Sequence, residues 1–78
     1  MTESKFQSKV ITYIKKVCPL TYLVKYDAYI RAGVPDLLMC INGRFVGIEI
    51  KVGKNKPTPL QKVSIVKINQ AGGIGLIL

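Results

Sequence analysis

Asp36-Leu37-Leu38-Met39-Cys40-Ile41-Asn42-Gly43-Arg44-Phe45-Val46-Gly47-Ile48-Glu49-Ile50-Lys51 reads as two apolar strands joined by Asn-Gly, the strongest short hairpin signal. With Asn42 and Gly43 as the two loop residues, Ile41 faces Arg44, Cys40 faces Phe45, Leu38 faces Gly47 and Asp36 faces Glu49. Alternation puts Asp36, Leu38, Cys40, Phe45, Gly47, Glu49 and Lys51 on one face of the sheet. Leu37, Met39, Ile41, Val46, Ile48 and Ile50 line the other. Two of the chain's 4 acids therefore meet across one ladder, with Lys51 beside them.

Upstream, Phe6, Val10, Tyr13, Ile14 and Val17 recur at helical spacing and predict an amphipathic helix, capped by Thr2 or by Ser4 with Gln7 and ended by Pro19. Glu3 lies seven residues before Val10, nearly two turns, so its carboxylate points to the side of the buried stripe. The bland explanation is an acid complementing the dipole of a fraying first turn. Leu20 to Tyr26 is rich in β-branched and aromatic residues and predicts a strand; residues 27 to 35, with Gly33 and Pro35, read as a turn-rich connection.

Downstream, Thr58-Pro59-Leu60-Gln61 combines an N-cap, a proline at the first helical position and a Thr-x-x-Gln capping box. The helix runs to about Gln70 and stops at Gly72-Gly73. Ile74-Gly75-Leu76-Ile77-Leu78 lacks alternation and predicts a strand buried on both faces, parallel to the second hairpin strand. The order is αβββαβ: an α/β fold with a mixed four-stranded sheet flanked by helices, and residues 1–78 as a single domain.

The chain has 78 residues, 12 Lys+Arg against 4 Asp+Glu, no His and a formal charge of +8. So short a domain builds a thin core, which makes a homodimer the default expectation. The charge favours a polyanion, nucleic acid first and an anionic membrane surface second. Chemistry that depends on histidine is weakened, and Cys18 and Cys40 form neither a disulfide framework nor a zinc spacing. There is no signal or transit peptide and no membrane span, so a cytoplasmic protein without an organic cofactor is expected.

Like charges directly opposite on a sheet are destabilising, and nothing in so basic a chain forces two scarce acids together. A divalent cation resolves the conflict: the oxygens of Asp36 and Glu49, the backbone carbonyl of Ile50 and waters suit Mg²⁺ or Mn²⁺. Lys51 would position or activate a water and offset developing negative charge, so the expected chemistry is metal-assisted phosphodiester hydrolysis. Gly47 is read as clearing space on that face. The structural alternative makes Asp36 a turn residue beside Pro35 and Glu49 an ion-pair partner of Lys51.

Gly33-Val34-Pro35-Asp36, Glu49-Ile50-Lys51, Pro59-Leu60-Gln61 and Ala71-Gly72-Gly73 together resemble the PD-(D/E)xK nuclease superfamily, and within it the virus-type replication–repair nuclease (VRR-Nuc) domain. The resemblance implies a restriction-endonuclease-like αβββαβ core, Mg²⁺- or Mn²⁺-dependent cleavage of DNA, and structure-selective action in replication and repair. It assigns Asp36 and Glu49 as metal-binding acids, Lys51 as the catalytic lysine, Glu3 as the acid on the first helix, and Gln61 as the glutamine touching the site or its water network. Similarity to minimal phage and bacterial members implies a homodimer presenting two sites to branched DNA, as in Holliday-junction resolution.

Lys54, Lys56 and Lys62 are candidate phosphate contacts, as are Lys5, Lys9, Lys15 and Lys16 on the first helix; a solvated, solubilising face explains part of the set. Tyr22, Tyr26 and Tyr29 could stack on bases, though packing is the commoner use of strand tyrosines. The rivals are a non-catalytic nucleic-acid-binding module, a basic helix docking on anionic membranes, and a flap or linear-duplex nuclease of the same superfamily.

Overall fold

In the computed structural model, which describes residues 1–26 and 31–78, the chain runs α1 (Glu3–Val17), β1 (Thr21–Lys25), β2 (Leu37–Ile41), β3 (Arg44–Glu49), α2 (Pro59–Gln70) and β4 (Ile74–Ile77). One sheet holds the strands in the order β1-β2-β3-β4, with β1-β2 and β2-β3 antiparallel and β3-β4 parallel. This is the αβββαβ order and the mixed sheet that the residues imply. Tyr29 lies outside the described residues.

The hairpin register follows from turn chemistry. Asn42 and Gly43 both take positive φ, 50° and 78°, as a two-residue loop matched to strand twist requires. The ladder runs from Ile41↔Arg44 to Leu37↔Ile48 in the expected register. One face is the core: Leu37, Met39, Val46, Ile48 and Ile50 are buried, with Phe6, Val10, Ile11 and Ile14 of α1 packed on them. Tyr13 and Val17 differ from the expected stripe and are exposed. The helix is turned so that Ile11 meets the sheet, leaving Tyr13 at the margin beside β4 and Val17 in the last turn.

On the other face α2 sits over β3 and β4, close enough to depend on missing side chains. A Cβ at Gly75 would stand 2.8 Å from the Ile65 carbonyl oxygen, and one at Gly47 would stand 2.7 Å from Ile68 Cδ1. The space at Gly47 is therefore taken by Ile68 and Pro35, not left open beside the acids. The strand β4 also departs from expectation: Ile74, Leu76 and Ile77 are partly exposed because β4 is the sheet's edge, with a neighbour on one side only. The α2 N-terminus has the full capping box, with the Gln61 N–H donating to Thr58 Oγ1 at 3.2 Å and the Thr58 N–H donating to Gln61 Oε1 at 2.8 Å.

Candidate functional site

The site forms where the β2-β3 ladder runs out. Leu37↔Ile48 is its last pair, and one step further the same register sets Asp36 against Glu49. By the alternation of an antiparallel ladder this is a non-hydrogen-bonded position, where opposed Cα atoms approach to about 4.5 Å and side chains are closest. Asp36 takes over the ladder's role there: Ile50 N–H donates to Asp36 Oδ2 at 2.8 Å. On its other side the Asp36 carbonyl accepts from Tyr26 N–H at 2.9 Å, so the residue is tied to both neighbouring strands.

Parallel pairing with the chain's last residues continues past β3. Leu78 N–H donates to the Glu49 carbonyl and Lys51 N–H to the Leu78 carbonyl, both at 2.9 Å. Extended backbone thus persists through Lys51, and the Ile50 carbonyl is directed with the Ile50 N–H toward the Asp36 edge. Lys51 is half-buried and close enough to Glu49 for its charge to act there.

Glu49 is 1% exposed, and among the described residues neither of its carboxylate oxygens has a hydrogen-bond partner. Burial, then the adjacent Asp36 carboxylate, which takes a hydrogen bond from the protonated acid and repels its anion, and more weakly Glu3 push its pKa up to about 8 against the opposing pull of Lys51. A buried carboxylate with empty lone pairs is costly unless something positive meets it. Together with Asp36, it offers the all-oxygen donor set of a hard divalent cation, so the residues present fit such an ion.

Glu3 lies where its periodicity points. It borders a cleft of about 230 Å³ with Ser4, Gln7, Asp36 and Ile50, and its Oε1 accepts from Asn55 Nδ2 at 3.3 Å. Asn55, in the basic loop after Lys51, was not anticipated from the residues; nothing in a lone loop asparagine signals a partner 52 positions away. Among the described residues no three His, Cys, Asp or Glu side chains converge closely enough to hold a metal ion alone, so Glu3 flanks the Asp36–Glu49 pair without completing a three-carboxylate set. Gln61 is half-buried, but its carboxamide oxygen is committed to the α2 cap. Lys54, Lys56 and Lys62 are exposed around this end of the molecule.

No family model matches this sequence, and no curated protein matches it. Its fold is that of solved structures. One, described as a "VRR_NUC domain protein", aligns over 99% of this chain and 76% of its own length, with TM-score 0.73 and 24% identity. Another, described as "VRR_NUC domain", aligns over 99% of this chain and 84% of its own, with TM-score 0.67 and 23% identity.

Proposed function

We propose that residues 1–78 form a nuclease domain of the VRR-Nuc type that hydrolyses phosphodiester bonds in branched DNA. The observation that carries this reading is Glu49, buried opposite Asp36 with no hydrogen-bond donor to its carboxylate among the described residues, in a chain of net charge +8. A carboxylate pair so placed is a liability in a purely structural protein and an asset at a cation site. The shared fold with VRR_NUC domains supports it.

In this reading Asp36, Glu49 and the Ile50 carbonyl would hold Mg²⁺ or Mn²⁺. The cation supplies Lewis-acid polarisation of the phosphate and activation of water. Asp36 keeps its bond to the Ile50 N–H, which fixes one carboxylate oxygen and aims the other. The Lys51 ammonium orients the attacking water and offsets charge developing on the phosphate oxygens. Glu3, which accepts a hydrogen bond from Asn55, borders the cleft beside Asp36. Gln61 is a positioning residue, holding the first turn of α2 through its cap. Lys54, Lys56 and Lys62 grip phosphates without reading sequence, so binding selects shape.

The proposed setting is DNA repair in a phage or bacterial host cytoplasm. A homodimer would present two such sites, and Holliday-junction resolution is the activity this arrangement fits best. No helix among the described residues is long and apolar enough to cross a membrane. The test is cleavage of end-labelled four-way junction, flap, splayed-arm and linear duplex DNA with Mg²⁺, with Mn²⁺ and with chelator. Paired cuts on the junction that chelator abolishes are expected. Binding with no metal-dependent cut on any substrate would overturn the reading and leave a nucleic-acid-binding module.

A further inference from the structure

The outward side of α1 carries a charge pattern that the helix itself does not explain. Lys5, Lys9, Lys15 and Lys16 stand on it against one acid, Glu3, and that acid borders the cleft beside Asp36. Phe6, Val10, Ile11 and Ile14 pack on the sheet, so Lys5, Ser8, Lys9, Thr12 and Lys16 share the opposite side, and all five are exposed. Lys9 and Lys16 line a shallow groove of about 380 Å³ with Ser8, Thr12 and Tyr13. Lys15 and Lys16 lie in the last turn, where cations suit the helix dipole. Lys5 and Lys9 gain nothing of the kind. Lys5 sits in the first turn, where a cation opposes the dipole, and the pair stands at i, i+4, where like charges repel. A face that served solubility alone would intersperse both signs.

The row is continuous with the basic loop at the acid end of the sheet. Asn55 Nδ2 donates to Glu3 Oε1 at 3.3 Å, which sets the loop carrying Lys54 and Lys56 against the first turn of α1. From there α1 runs toward the hairpin end, because Val17 leads through Cys18 into Thr21, the partner of Ile41. At 1.5 Å per residue Lys5 to Lys16 spans about 16 Å, the rise of about five phosphates along one DNA strand.

We propose that this row is a second phosphate track, which holds an arm of branched DNA other than the arm lying across Asp36 and Glu49. Lys62 stands on α2 and the row on α1, on opposite sides of the sheet. Duplex DNA is too stiff to turn from one side to the other over a single protein diameter, whereas two arms of a junction diverge from the site and can follow both. An anionic membrane is the other polyanion that a basic helix meets, and α1 does not suit it: the apolar side that a lipid surface needs is packed on the sheet.

The track rests on the nuclease reading for its substrate and is tested by binding, so either can fail alone: a wild-type chain that binds junctions through the row and cuts nothing overturns that reading and not the track. The experiment is fluorescence anisotropy with a labelled four-way junction and a linear duplex, in chelator, from about 50 to 200 mM salt. Lys9→Gln with Lys16→Gln should weaken junction binding about tenfold and lower the slope of log affinity against log salt by about 2, with the linear duplex nearly unaffected. Arg44→Gln with Lys67→Gln removes the same charge from exposed positions at the hairpin turn and on α2, and should do neither. Thr12→Lys, which adds a cation in the middle of the row, should tighten junction binding and raise the slope by about 1. Unchanged junction binding in the Lys9/Lys16 and Thr12 variants, an equal fall in the Arg44/Lys67 variant, or an equal loss on the linear duplex would each overturn the proposal. So would binding to phosphatidylserine vesicles that the Lys9/Lys16 substitutions abolish while junction affinity holds.

Discussion

Glu49 is the residue on which the account turns, and its burial has a measurable consequence. Its pKa is raised from 4.5 to about 8, so the folded chain favours the protonated form more than the unfolded chain does. That contribution to stability is complete below 4.5 and is lost as pH rises through about 8. In chelator the melting temperature of wild type relative to Glu49→Gln should therefore fall across this window, with the variant holding its acid-side stability. Mg²⁺ or Mn²⁺ should restore the wild type at the alkaline end and leave the variant unmoved. A constant difference between the two proteins at every pH would mean that Glu49 is not held in a costly state. The meeting of Asp36 with Glu49 was legible in the residues, because Asn42-Gly43 fixes the register and the register fixes the pair. The absence of hydrogen-bond donors around Glu49 was not, since it depends on how the surrounding elements pack.

At the scale of elements, the segment that leads into Asp36 and β2 is joined to the first turn of α2. Gly33 makes that join. Its φ is +87°, and a Cβ there would stand 2.9 Å from Leu60 Cβ and 3.2 Å from the Leu60 carbonyl oxygen. Gly33→Ala should cost about 1–3 kcal/mol from backbone conformation alone, with the Leu60 clash added, and urea unfolding measures it. Unchanged stability would mean that the join is slack. The residues gave Gly33 away as a turn-former; that it is pressed against α2 emerges only when the chain returns 27 positions later. The same holds for Gly47, whose open side is filled by Ile68, and for β4, whose unbroken apolar run suggested burial on both faces although the strand forms the sheet's edge. By contrast the α2 cap, the hairpin and the inward Glu3 rest on local spacing, and all three were readable.

For the whole molecule, a handful of buried side chains on the α1 face carries the core, and the opposite face divides into a half covered by α2 and a half left bare. Among the described residues, α1 covers one face of the four-stranded sheet and α2 covers the β3–β4 half of the other. The acids lie at one end of this sheet in a strongly basic chain, and under the proposed function that end would be a cation site to which DNA is drawn by charge. The most direct test of that claim compares wild type with Asp36→Asn on a four-way junction at saturating Mg²⁺. Asp36→Asn removes a charge while keeping the shape that bonds the Ile50 N–H. A cation ligand contributes several kcal/mol to the transition state, so cleavage should fall by at least about 100-fold with junction binding retained. Cleavage by Asp36→Asn at the wild-type rate would contradict the account.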